Sequence, residues 1–262
     1  MKPPFLLIGF ICLTGCSTDP AETAKSQSSG SAAMDYLVTS TYSSTTIQVG
    51  LPNGSNASKT TRKTTFDALA DLTGRSADSF NASTVDINTD LNADSISTLD
   101  DVKAYEDAHR TAYTDGEESV IWMGYMPGSM ARDTMDSYTL ALAYRGSSIM
   151  VFPDNIRKAC ETLAETLPDG VDRAKACAYI EATTVLHELG HLMGLTDNGT
   201  PMVEPHKDEG NGDHCDQSDC IMYAYSNMNS VFNRARVDIE AGRDIALFGP
   251  HCFADISAVQ PQ

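Results

Sequence analysis

Basic side chains are scarce in this sequence, with 18 lysines and arginines against 36 aspartates and glutamates and a formal net charge of -18. A chain so charged repels polyanions, so sequence-independent binding to nucleic acid is excluded as a working role. Long apolar runs are lacking too: the run at residues 5–13 falls well short of the roughly 20 residues that a permanent transmembrane helix needs. Repeats of solenoid or propeller period are absent, and only one stretch has linker composition, so a single domain accounts for the remainder. What is present is ordinary globular material. With 41% hydrophobic and 21% charged residues over 262 positions, the chain has enough to close a full core.

The amino-terminal stretch combines Lys2, the apolar run 5–13 and then Leu13-Thr14-Gly15-Cys16, the layout of an export signal. Its ending resembles the lipobox of bacterial lipoproteins. That resemblance implies a signal peptide at residues 1–15, a lipid on Cys16 and an exported protein anchored to a membrane. Ser17 and Thr18, in place of an aspartate, point to the outer membrane or cell surface. Loss of residues 1–15 removes only Lys2 among the charged groups, so the acidity belongs to the working protein. Residues 16–33 offer almost nothing to bury and read as a lipidated flexible tether, with the domain proper at 34–262. Of the seven cysteines, Cys12 leaves with the signal and Cys16 is modified. Cys160, Cys177, Cys215, Cys220 and Cys252 remain for an oxidising compartment, an odd set in which one thiol is unpaired or binds metal.

Periodicity predicts strands at 45–51 and 83–88, alternating with helices at 61–72 and 99–113. A strand at 119–125 is closed by Pro127-Gly128, and 139–144 and 148–152 form a hairpin about residues 145–147. This alternation predicts an α/β sheet. Helices at 156–167 and 171–192 follow, separated at Pro168-Asp169-Gly170 and stopped by Gly194. On the second, Val171, Ala174, Ala178, Ala182, Val185, Leu189 and Leu192 make one apolar stripe. His187, Glu188 and His191 lie beside that stripe, at the margin of a buried face.

These three residues spell H-E-x-x-H. Residues four apart share a helical face, with Cβ atoms about 5–6 Å apart, so His187 and His191 are able to aim imidazoles at one Zn²⁺. Glu188, rotated from them, is placed to act on a metal-activated water as general base and then to protonate the leaving amine of a peptide bond. Together with the glycine, residues 187–194 resemble the H-E-x-x-H-x-x-G start of the metzincin zinc-peptidase signature. In that family the third ligand usually comes three residues after the glycine, which here is Asp197, an aspartate as in snapalysin-like members.

A second resemblance lies at His214-Cys215-x4-Cys220-Ile221-Met222, similar to the archaemetzincin H-C-x4-C-x-M, where the histidine is the third ligand. About twenty residues, 195–213, stand between the two halves of the motif here. The third ligand is therefore open among His214, Asp197 and His206, with His214 favoured because neutral imidazole is the commoner zinc partner. Met222 corresponds to the Met-turn beneath the zinc, and Tyr223 or Tyr225 is placed to support the developing oxyanion. Archaemetzincins hold a second, structural zinc with this cysteine pair and a C-P-x-C near the chain end. Here Gly249-Pro250-His251-Cys252 lacks one of those cysteines. Cys215, Cys220 and Cys252 therefore either bind zinc with His251 or another group, or form one disulfide and leave a thiol. Cys160 and Cys177, flanking the Pro168 turn, are candidates for a disulfide between helices.

The resemblance implies a metzincin-like zincin fold: a twisted mixed sheet with backing helices, an active-site helix and a small irregular carboxy-terminal lobe. Strand 139–144 would line the cleft at the sheet edge, where an extended peptide or protein substrate pairs. The implied activity is zinc-dependent endopeptidase, with one catalytic Zn²⁺ and, where the cysteines bind metal, a second structural one. Two other classes fit the same residues, a non-catalytic zinc- or partner-binding surface lipoprotein and a cell-wall peptide amidase.

Overall fold

The computed structural model describes residues 19–37, 41–53, 55, 59–167 and 173–260. Cys16, the signal segment 1–15 and residues 168–172 lie outside these. β1 (Ser44–Pro52), rich in β-branched residues, pairs in parallel with β2 (Phe80–Ile87) and with β4 (Glu118–Tyr125). β7 (Ser148–Val151) continues the parallel set beside β4, and β6 (Ala141–Arg145) returns antiparallel to it as the edge strand. The order is β2-β1-β4-β7-β6, with a separate two-stranded pair of β3 (Ile96–Ser97) and β5 (Ser129–Met130). This is the α/β sheet that the alternating pattern predicts, and its strands are mixed and mostly parallel.

β4 is buried along nearly its whole length, as a central parallel strand must be when both faces are covered. One face packs Ile47, Val49, Ile121, Met123 and Ile149 with residues of α3 (Lys59–Thr73), α5 (Pro153–Thr166) and α6 (Arg173–Leu192). The other face packs Trp122, Met150 and Phe152 with Val102 and Tyr105 of α4 (Leu99–His109). α4 stops at His109 and not at 113, because Arg110 takes extended backbone and turns inward. There it meets Glu106 at 2.9 Å, and Arg145 of β6 meets the other oxygen of Glu106 at 2.8 Å. Paired burial of this kind is costly to break and ties the edge hairpin to α4.

Residues 19–33, expected to be a flexible tether, are instead packed on the domain. α1 (Pro20–Ser26) is capped by Asp19, and α2 (Ala33–Leu37) follows, with Ala24, Ala32 and Ala33 buried. Their small side chains permit close approach: a Cβ on Gly30 would lie 1.7 Å from the Asn198 carbonyl oxygen. Poverty in large apolar residues did not prevent docking. The carboxy-terminal lobe is irregular over 193–227 and then helical, with α7 (Met228–Glu240) and α8 (Pro250–Val259). No helix among the described residues is long and apolar enough to cross a membrane.

Candidate metal centres and cleft

α6 is buried along Ala182, Val185, Leu189 and Leu192 of the expected stripe and along Ile180 and Leu186 beside it, whereas Ala174 is exposed, Ala178 is half-buried and Val171 lies outside the described residues. Its last turns present His187, Glu188 and His191 beside that stripe. The chain reverses after Gly194, whose carbonyl accepts the N–H groups of Asn198 and Thr200. It returns through residues 195–213 to bring His214 against the helix. His187, His191 and His214 then offer ring nitrogens that all lie within 4.8 Å of one another.

Each ring is oriented by the backbone or by its neighbour. His187 Nδ1 is 2.7 Å from the Ile221 carbonyl oxygen, and His214 Nδ1 is 2.7 Å from that of Asn211. Donation to those carbonyls leaves both Nε2 atoms as acceptors, the tautomer a metal requires. His191 Nε2 lies 3.2 Å from His187 Nε2. Burial lowers the pKa of all three imidazoles, and for His191 the neighbouring His187 and His214 lower it further. Neutral, convergent imidazoles in an open cleft fit Zn²⁺.

Glu188 is buried beside them, and its pKa is pushed up to about 7, by desolvation first. The Ala143 N–H of β6 donates to Glu188 Oε2 at 2.7 Å, tying the carboxylate to the edge strand. The cleft in front of it measures about 450 Å³, and its walls include Leu140, Thr184, Tyr223 and Met228. Arg132 is the one arginine or lysine among its lining residues. Tyr223 and Tyr225 both line the cleft, their rings 5.1 Å apart. Tyr225 spends its hydroxyl on the Ser218 carbonyl, at 3.3 Å.

Met222 is fully buried under the helix. It packs at Gly190, where a Cβ would come 2.3 Å from the Met222 sulfur, so only glycine permits the turn and the helix to approach this closely.

Asp197 and His206 are not at this centre. Asp197 is exposed on the reversal after Gly194, with φ of 63°. His206 is buried in a second cluster with Cys215 and Cys252, the three ligand atoms again within 4.8 Å of one another. His206 Nδ1 lies 3.4 Å from Cys215 Sγ and 4.0 Å from Cys252 Sγ. Cys220 Sγ lies 3.5 Å from Cys252 Sγ, and all three thiols are free. Backbone N–H groups of Gly249 and Met222 point at Cys220 Sγ, at 3.1 and 3.4 Å. Hydrogen bonding with Cys215, then with Cys252, holds the Cys220 thiol far below its ordinary pKa, while that of Cys215 is pushed up to about 11.

Behind the ring of His206, Asp255 Oδ2 sits 2.7 Å from Nε2, so the carboxylate fixes the tautomer with Nδ1 free toward the sulfurs. Three thiols and one imidazole in a closed pocket are the donor set of a structural zinc site.

No protein-family model matches the sequence, and no curated protein is similar to it at a significant level. Among solved structures, the chain is similar to archaemetzincin from Methanopyrus kandleri. The two share 13% identity over 82% of this chain and 94% of that one, with a TM-score of 0.46.

His251, the histidine adjacent to Cys252, is not part of the sulfur cluster. It stacks on His206 with ring centroids 5.5 Å apart and has its Nδ1 3.9 Å from Glu204. The group that joins the thiols comes instead from the long insert 195–213, from a position no motif spacing marks. Asp255 carries a weak signal, since it lies three residues after Cys252 and therefore on the same face of α8. Cys160 and Cys177 form a disulfide between α5 and α6, with Cα atoms 4.6 Å apart.

Proposed function

We propose that this protein is a zinc-dependent endopeptidase in which His187, His191 and His214 hold the catalytic ion and Glu188 is the general base. The observation that carries the reading is the convergence of three neutral imidazoles on one point beside a buried carboxylate, within an open cleft bounded by a sheet edge. Zinc held there would supply Lewis acidity, polarising a carbonyl and bringing the pKa of a bound water near 7.

The remaining work falls to the chain. The free edge of β6 offers main-chain hydrogen bonds to an extended peptide, which would align its scissile bond along the cleft. Glu188 accepts from the Ala143 N–H of β6, so its carboxylate is placed by the same strand that would align the peptide. Burial raises the Glu188 pKa, so the carboxyl holds a proton readily, as a base must before returning it to the leaving amine. Tyr223, with its hydroxyl uncommitted among the described residues, is the better oxyanion donor of the two tyrosines.

We further propose that Cys215, Cys220, Cys252 and His206 hold a structural zinc, and that the protein works outside the cytoplasm, anchored through lipid on Cys16. The lipobox-like sequence and the Cys160–Cys177 disulfide support export to an oxidising compartment.

The test is metal content and cleavage of a peptide library by the purified protein and its Glu188→Gln variant. The expected result is two zinc ions in both proteins and hydrolysis in the parent alone. A parent that holds zinc in the cleft and cleaves nothing would instead identify a metal-binding lipoprotein. Cleavage confined to peptidoglycan stem peptides would identify an amidase.

A further inference from the structure

The cleft holds a positive charge that the chemistry at Glu188 does not use. Arg110, Arg145, Arg157, Arg173, Arg234 and Arg243 each pair with a carboxylate. Among the described residues Arg132, like Arg75 and Arg236, does not, although acidic residues outnumber basic ones two to one in this chain. Among the described residues its Nε donates to Thr139 Oγ1 at 3.4 Å. The adjacent carboxylate is not available to it. Asp133 Oδ1 accepts from the Thr139 N–H and hydroxyl at 2.9 and 2.7 Å. Asp133 Oδ2 accepts from the Met130 N–H and Asn155 Nδ2 at 3.0 and 2.9 Å. Asp133 thus braces the loop between β5 and β6, and the exposed guanidinium beside it is left to the cleft.

Position along the strand gives the charge a subsite. Thr139 precedes Ala143, the residue that holds Glu188, by four positions, or about 13 Å of extended chain. A peptide running antiparallel to β6 sends its carboxy-terminal side toward Thr139 and Arg132. The arginine then meets a substrate group about two to four residues past the scissile bond. Leu140 and Met228 are apolar parts of the same lining, and among the described lining residues Arg132 is the only arginine or lysine.

Resting on the peptidase reading above, we propose that Arg132 is a specificity-determining residue that anchors a substrate carboxylate on the carboxy-terminal side of the scissile bond. The carboxylate comes either from an acidic side chain or from the peptide's own terminus, and a planar guanidinium binds both in the same bidentate way.

The experiment uses zinc-loaded full-length protein and matched peptides carrying Glu or Gln at the second, third or fourth position past the scissile bond. Each peptide is made with a free and with an amidated end. The expected result is a preference of about tenfold in kcat/KM for the carboxylate member of one pair, carried mainly by KM and weakened by salt. A Glu/Gln preference that survives amidation assigns the side chain, and one that appears only with free ends assigns the terminus.

In Arg132→Ala the ratio falls to near one, in Arg132→Lys part of it remains, and in Arg132→Glu it inverts. A parent with no preference, or a preference that survives Arg132→Ala, overturns the proposal. Binding of the same fluorescent peptides to Glu188→Gln, read by anisotropy, reports the ratio without turnover. Absence of hydrolysis would therefore count against the peptidase reading while the arginine is judged by affinity alone.

Discussion

The two clusters share a stretch of chain yet differ in every respect that decides what an ion in them can do. The histidine cluster is partly exposed, opens on a cleft and takes its second-layer contacts from backbone carbonyls of Ile221 and Asn211. The sulfur cluster is wholly buried, and its imidazole is fixed by the carboxylate of Asp255. An ion with three protein ligands and an open side exchanges water and substrate, whereas one with four ligands in a closed pocket only holds the chain together. Burial and ligand number, more than ligand identity, separate a reactive centre from a structural clasp.

The sharpest way to break this comparison is Glu188→Gln. Peptide hydrolysis should fall by about 10²–10⁴-fold with both ions retained, as measured by kcat/KM and metal analysis. A variant that kept most of its turnover would remove the carboxylate from the mechanism.

Asp255→Asn should weaken zinc at the sulfur cluster by about 10–100-fold, read by competition with a chromogenic chelator, and change the affinity of the histidine cluster far less. Loss of both ions together would mean that the sites are not separable.

Gly190→Ala drives a methyl into the Met222 sulfur and should cost about 1–3 kcal/mol of stability, seen as a lower denaturant midpoint. A neutral outcome would show that the turn beneath the helix is loosely packed.

The smallest effect concerns acid. Depressed pKa values keep the three cleft imidazoles neutral to lower pH than free histidine, so protons compete for them late. Zinc should leave the cleft with a midpoint below pH 6.5. Release at or above that value would contradict the burial that lowers them.

Regular elements were legible because hydrophobic periodicity records which face is buried. β1, β4, the edge hairpin and α6 fall close to the segments read from sequence, and His187, Glu188 and His191 follow from one helical spacing. What escaped was decided by contacts distant in the chain. His206 sits in an irregular insert, and only its burial against Cys215 and Asp255 separates it from the cleft histidines. α4 ends early because Arg110 is drawn to Glu106 and Ser147, a pull no local pattern reveals. Residues 19–33 dock through the smallness of Gly30 and Ala33, which composition alone reads as linker.

His214 and Cys215 are consecutive, so one peptide bond joins the two clusters, and the Cys215 N–H is held by the Met222 carbonyl at 2.8 Å. The place of His214 in the cleft therefore depends on a contact made behind it, away from the opening. If the proposed reading holds, a preparation whose thiols had oxidised in storage would lose turnover with every group facing the cleft chemically intact.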